Sequence, residues 1–329
     1  MHEKLQRILS KLGFVELLPV FLKEKIDDAL LPELSDSDLK EIGIEKLGDR
    51  KRLLQEFAQL DGPRYSGRPR QTKSALMKAS GQHAGEAFHD EPLLASSARP
   101  FLNSLGMPFV PIPRAKTLFC KWPVRIRDYA QYGTETGASA PSADFPQGPD
   151  HPVVNVRWND ARLFCQWLTK REIWLGLIPA SLGYRLPKDE EWSSAVGLGF
   201  EGGSTPKLRS GVVEGYPWGS DFPPPPGMGN YHPKLQSDGF PETSPVGSFP
   251  PNKFGIYDLG GNVWEWCMDE YERGHPDRVL RGASCFNDDS FYLMSSFRDH
   301  YPADKARNNV GIRAVLAPVI EADLWFNKV

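Results

Sequence analysis

Two hydrophobic rhythms divide the chain. In residues 1–61 apolar side chains return at helical spacing: Leu5, Ile8 and Leu12 share a face before Gly13, Phe21 and Leu22 follow, and Leu53, Leu54 and Phe57 form a last stripe. Ser35 with Asp38 three residues on predicts a capping-box start for a helix that Gly43 ends. This pattern predicts five short helices around an all-α core. Over residues 62–100 the periodicity vanishes into Pro, Gly, Ser, Ala, Arg and Lys, too little apolar surface to offset chain entropy, so a flexible linker is expected. From 101 to 329 short apolar pieces alternate with long irregular stretches. Residues 106–112 and 278–280 read as strands, Trp122-Pro123-Val124 leads into a helix near 127–130, and Asn159 or Asp160 caps a helix burying Leu163, Phe164, Trp167 and Leu168. Pro187 opens a short helix carrying Trp192, and the four prolines at 223–226 are loop. The second unit is therefore α+β with much irregular chain.

Composition refines this picture. Thirty glycines and thirty prolines in 329 residues fit a loop-rich fold, and 40% hydrophobic residues suffice for a packed core. No run of eighteen apolar residues occurs, and the charged start Met1-His2-Glu3-Lys4 lacks a following signal-peptide core, so a soluble cytoplasmic protein without membrane contact is expected. A net charge of −3 gives no global pull towards nucleic acid, and the basic cluster at Arg64, Arg68 and Arg70 reads as solvated linker. Cys120, Cys165, Cys267 and Cys285 are widely spaced, which predicts reduced thiols rather than a disulfide framework.

Several motifs stand in a recognisable order: Asp150-His151-Pro152-Val153-Val154-Asn155-Val156, Tyr184-Arg185-Leu186-Pro187, Tyr216-Pro217-Trp218-Gly219, residues 254–266, and Gly311-Ile312-Arg313. Together they resemble the sulfatase-modifying, formylglycine-generating-enzyme family, which implies a variant of the C-type lectin fold. The first unit resembles a sterile alpha motif (SAM) domain. That likeness implies self-association or partner docking, with basic Arg50, Lys51 and Arg52 facing acidic Asp27, Asp28, Glu33 and Asp36.

The family's oxidase activity requires paired cysteines that bind copper, soft ligands for a soft ion. Here only Cys285 follows Gly282-Ala283-Ser284, and Asn287 and Tyr292 stand near the later positions, so no enzyme activity, copper or iron is expected. The resemblance further implies calcium bound by hard oxygen donors. One set is Asn230, Tyr231, Asp238 and Phe240; the other is Asp258, Gly261, Val263 and Glu265.

Residues 285–301 have a peculiar composition. Nearly all can be encoded by codons ending in a pyrimidine, Met294 alone breaks the pattern, and Glu, Gln, Lys and Trp are absent. Randomising the two adenines of asparagine codons would yield this set. The segment resembles the variable region, here about 281–314, of proteins diversified by retroelements on the same scaffold. That likeness implies a face for an unknown target, most simply a protein, made by Cys285, Phe286, Asn287, Asp288, Asp289, Ser290, Phe291, Tyr292, Ser296, Phe297, Asp299, His300 and Tyr301. Rigid aromatics among adaptable polar groups suit such binding. Arg281, Gly282, Ser284, Arg298, Gly311 and Arg313 are expected to hold the frame. A formylglycine-generating-type oxidase, or an inactive family member with a fixed ligand, are the alternatives.

Overall fold

Gly13, with φ +74, ends the first helix α1 (Glu3–Leu12), whose Leu5, Ile8 and Leu9 are buried. The computed structural model describes residues 3–23, 26, 28, 31, 34–57 and 92–319. The chain divides into two units, Met1–Arg70 and Gln71–Val329. In the first, α1 is followed by a 3-10 turn at Val15–Leu17 and by α2 (Leu18–Lys23), α3 (Asp36–Glu41) and α4 (Leu47–Phe57). The described residues thus hold four of the five helices read from the pattern. Ser35 caps α3 in a reciprocal box with Asp38, and Phe21 meets Phe57 edge to face in the core.

Two of the charged residues read as an outward face are engaged within the unit. Arg50 is buried, donating to both carboxylate oxygens of Asp36 and to the carbonyls of Ile44 and Glu45, so it closes the α3–α4 corner. Asp28 accepts the backbone N–H groups of Lys4 and Leu5, orphan donors at the start of α1. Asp27 and Glu33 lie outside the described residues, as do linker residues 62–91. Residues 92–100, also read as linker, are structured: Pro92–Leu94 form a 3-10 turn and Ala95 packs on the core of the second unit.

In that unit a five-stranded antiparallel sheet runs β1 (Phe101–Leu102), β2 (Pro108–Pro111), β3 (Leu118–Cys120), β9 (Val315–Pro318), β4 (Leu182–Arg185). The last strand thus slots between two early ones, and Val315 pairs with both Phe119 and Arg185. Helices α5 (Ile126–Thr136), α6 (Trp158–Leu175), α7 (Asp189–Val196) and the short α8 (Pro206–Arg209) belong to the same unit, with α6 packed on β4 and α5 on α6. Helix α6 starts beyond Arg157, ahead of the expected cap, and Asp160 pairs with Arg157 across the first turn at 2.6 Å. Phe164, Cys165 and Leu168 fill its inner face, which leaves Leu163, a quarter-turn away, 50% exposed against expectation.

A second sheet, ordered β7 (Asp299–Pro302), β6 (Asp277–Arg281), β5 (Trp264–Glu270), β8 (Val310–Gly311), carries the candidate site. β5 and β8 run parallel; the other pairs are antiparallel. A long excursion between β6 and β7 holds the short helix α9 (Ser290–Leu293). Among the described residues no helix is long and apolar enough to cross a membrane.

Candidate binding face

The β6–β7 excursion leaves its sheet through Gly282 and Ala283, both in the left-handed region (φ +98 and +61). An added Cβ at Gly282 would stand 3.3 Å from the Trp192 ring, so a larger residue is disfavoured there twice over. Both ends of the excursion are then fastened to one carboxylate. Asp189, fully buried at the start of α7, accepts Arg281 Nη1 and Arg298 Nε (3.0 Å) on Oδ1, and Arg209 Nη2 (3.0 Å) and Arg298 Nη2 (3.2 Å) on Oδ2. Arg298 also pairs with Glu201, and Arg281 Nη2 donates to the Ser295 carbonyl at 2.8 Å while its guanidinium lies 4.3 Å over Trp192. Arg281, Ser284, Arg298, Gly311 and Arg313 are buried, the frame positions expected from the sequence. Burial opposes the charge on Asp189, yet Arg281, then Arg298 and Arg209, hold its carboxyl down to about 2.

Between those anchors the side chains divide. Phe286, Phe291 and Tyr292 are 40, 49 and 45% exposed. Asp289 caps α9 by accepting the Phe291 N–H at 2.8 Å, and Ser290 is exposed beside it. Phe297 is half-buried, edge-on to Phe291 and Tyr292 at 5.0 and 5.1 Å, and joins them to Trp264 beneath. Asp288 pairs with Lys234 at 2.9 Å.

Two residues read as part of the face belong to the interior. Cys285 is fully buried because its N–H donates to the Asn262 carbonyl at 3.0 Å, which draws the chain into the core. Ser296 is fully buried because its hydroxyl donates to the Val213 carbonyl at 2.5 Å and its own carbonyl accepts the Gly211 N–H at 3.0 Å. Asn287 is half-buried and structural in its contacts: its Oδ1 accepts the Ser284 N–H and hydroxyl at 2.9 and 2.8 Å. On β7 the residues are tied to neighbours. His300 Nδ1 lies 2.7 Å from Asp277 and stacks on Tyr271 at 4.1 Å, Arg307 sits 3.6 Å over the Tyr301 ring, and Arg307 lies 3.8 Å from Asp299.

Sequence reasoning missed the fixed neighbours of this face. Phe145 meets Phe286 edge-on at 6.0 Å, Lys234 flanks Asp288, and Gly211 lies against the Phe291 ring with no room for a Cβ. These residues sit 54 to 141 positions from their partners, by subtraction of residue numbers, so no local pattern marks them.

The four cysteines are free and buried. Burial pushes the thiols of Cys120, Cys165 and Cys285 up to about 12, the opposite of the thiolate character that soft-metal binding needs.

The two oxygen sets for calcium differ in fit. In the first, Asp238 folds its own loop, accepting the Tyr231 and Phe240 N–H groups at 3.0 and 2.8 Å, while the buried Asn230 Oδ1 has no protein partner. That orphan buried oxygen is a hard donor of the kind calcium takes, and an ion held there would cross-link the 230–240 loop. The second set does not fit. Both Glu265 oxygens are taken by Arg313 Nε at 2.9 Å, Arg313 Nη2 reaches Oε1 at 2.6 Å, and Trp192 Nε1 donates to Oε2 at 2.9 Å. Arg313 also occupies the Tyr257 and Asp258 carbonyls, and burial pushes the Asp258 carboxyl up to about 6. We propose calcium at the first set alone: chelation should lower the melting temperature of the chain, added calcium should restore it, and Asn230→Leu should abolish the difference. Identical melting of stripped and calcium-saturated protein would contradict this.

Residues 114–318 match the pattern of the Sulfatase-modifying factor enzyme 1-like domain. The chain belongs to that family. Its fold is the α+β C-type lectin type expected, and residues 2–61 match the SAM domain (Sterile alpha motif). The chain is 39% identical over 153 residues to a cattle protein named inactive C-alpha-formylglycine-generating enzyme 2, covering 44% of this chain and 42% of that one. It is 31% identical over 237 residues to a formylglycine-generating enzyme of Mycobacterium tuberculosis, covering 60% of this chain and 70% of the relative. It therefore spans about two fifths of the cattle relative. Among solved structures, Treponema denticola variable protein 1 overlays with a TM-score of 0.41 at 20% identity, covering 61% of this chain and 84% of the other.

Proposed function

We propose that this family member is a ligand-binding variable protein of a diversity-generating retroelement, whose target is a protein surface. The observation that carries the reading is the pairing of composition with anchoring. A segment whose residues, Met294 apart, can all be encoded by pyrimidine-ending codons presents Phe286, Phe291 and Tyr292 to solvent, while Arg281 and Arg298 clamp its two ends to Asp189. A protein can diversify only where substitution costs little folding energy, and exposed aromatics among polar residues are the usual energetic centre of a protein interface. The adaptable positions are Phe286, Asp288, Asp289, Ser290, Phe291 and Tyr292, with Phe297, Asp299, His300 and Tyr301 at the margin; Cys285 and Ser296 belong to the core. The reading excludes oxidase chemistry, supported by the inert buried thiols.

The neighbouring DNA tests it. A nearly identical repeat should carry adenines at the first two positions of the adaptable codons, beside a reverse-transcriptase gene. A genome with no such repeat near this gene contradicts the proposal.

The sterile alpha motif unit supplies assembly in this reading. With Arg50 and Asp28 engaged internally, exposed Lys51 and Arg52 on α4 are the remaining basic contacts. Lys51→Glu should lower the sedimenting mass of the chain, most clearly at low salt where screening is weak. Wild-type chain that sediments as a monomer at high concentration would contradict self-association.

A further inference from the structure

We propose that the lectin-fold unit carries a second ligand site, a pocket between the β2–β3 turn and the end of α7 that takes a phosphate monoester of a small aromatic or apolar group. The pocket has a volume of about 240 Å³ and shares no residue with the 286–292 face. Three stretches of chain build it: Pro113 and Arg114 of the turn, Ser194 and residues 197–199 at the end of α7, and Lys253 with Phe254. Arg114 and Lys253 are its charged lining, and no aspartate or glutamate is among the described residues that line it.

Both charges are exposed and unopposed. The Arg114 guanidinium meets no carboxylate among the described residues, and Lys253 has only the Phe254 ring, 5.1 Å from its Nζ. Nor is Lys253 needed to cap α7. Leu198 N–H donates to the Ser193 carbonyl at 2.9 Å, Gly197 N–H to the Ser194 carbonyl at 3.2 Å and Asn252 Nδ2 to the Ala195 carbonyl at 2.7 Å, so the last turn is already satisfied there. The roughly half negative charge at a helix C-terminus offsets only part of two full positive ones.

Arg114 also stands in the left-handed region, at φ +62, a conformation uncommon outside Gly, Asn and Asp because the Cβ crowds the backbone. Strain of this kind collects at ligand sites, where the placement of a side chain outweighs the preference of its backbone. A guanidinium fork takes phosphate oxygens in pairs, and an ammonium in the same pocket adds a second positive charge. A phosphate monoester carries up to about two negative charges near neutral pH, so it matches both cations where a carboxylate matches one. Pro113, Leu198 and the half-buried Phe254 supply the apolar surface on which the esterified group rests.

The test is calorimetric titration of the full chain with phenyl phosphate, inorganic phosphate, phenylacetate and benzylamine. Saturable one-to-one binding is expected for phenyl phosphate, roughly threefold weaker or worse for inorganic phosphate and phenylacetate, and none for benzylamine. Arg114→Gly removes the charge and relieves the left-handed strain, so it should weaken phenyl phosphate by about tenfold without lowering the melting temperature. Lys253→Glu should weaken it as much, whereas Lys253→Arg should retain affinity. Absence of saturable phenyl phosphate binding overturns the proposal, as does equal affinity for inorganic phosphate, phenylacetate or benzylamine, or an affinity indifferent to Arg114→Gly and Lys253→Glu.

Discussion

Alanine at Asp189 is expected to cost the lectin-fold unit about 3–5 kcal/mol, the range for removing one partner from a buried charge cluster. The loss leaves three buried guanidinium groups, Arg209, Arg281 and Arg298, without their shared acceptor, and only Arg298 keeps a second buried carboxylate, Glu201. For a unit of this size such a loss lowers the melting temperature by on the order of 10 °C. The pH dependence has a definite sign. The folded carboxyl sits near 2, below its ordinary 3.8, so its stabilisation is present above about pH 4 and is lost as pH falls through 2. Asp189→Ala should therefore flatten the acid limb of the unfolding curve between those values as well as lower the whole curve. A variant that melts like the wild type, with the same acid limb, would show that the excursion does not depend on this anchor.

How much of this was legible in the chain depends on the range of each interaction. The Ser35–Asp38 box and the stop at Gly13 are local, so pattern alone placed them. Arg50 was misread because Asp36, its partner, lies fourteen residues earlier, and nothing local separates a corner-closing arginine from a solvated one. A residue set that pyrimidine-ending codons can encode describes composition but carries no information on burial. Cys285 and Ser296 fit the composition, yet backbone bonds to Asn262 and a side-chain bond to Val213 draw them inside. The arginines bracketing the excursion were placed as frame, but their shared carboxylate was not, since Asp189 lies 92 and 109 residues from them. Glu265 was misassigned to calcium for a similar reason: Arg313, which neutralises it, is 48 residues away.

The central claim, that the exposed part of the excursion accepts diversity which the frame absorbs, has a second large consequence. Phe286, Asp288, Asp289, Phe291 and Tyr292 contribute chiefly surface, and surface changes stay within roughly half a kcal/mol each. Cys285, Leu293, Ser295, Ser296 and Arg298 are buried, and core truncations or unpaired buried polar groups cost several. Two displayed libraries separate these groups most directly, one randomising the first five positions and one the second five, each scored by the fraction of members that resist protease. The first library is expected to stay largely folded and to yield binders to unrelated protein targets, while the second collapses almost entirely. Equal collapse of both libraries would contradict the account and return residues 286–292 to the fixed structure of the fold.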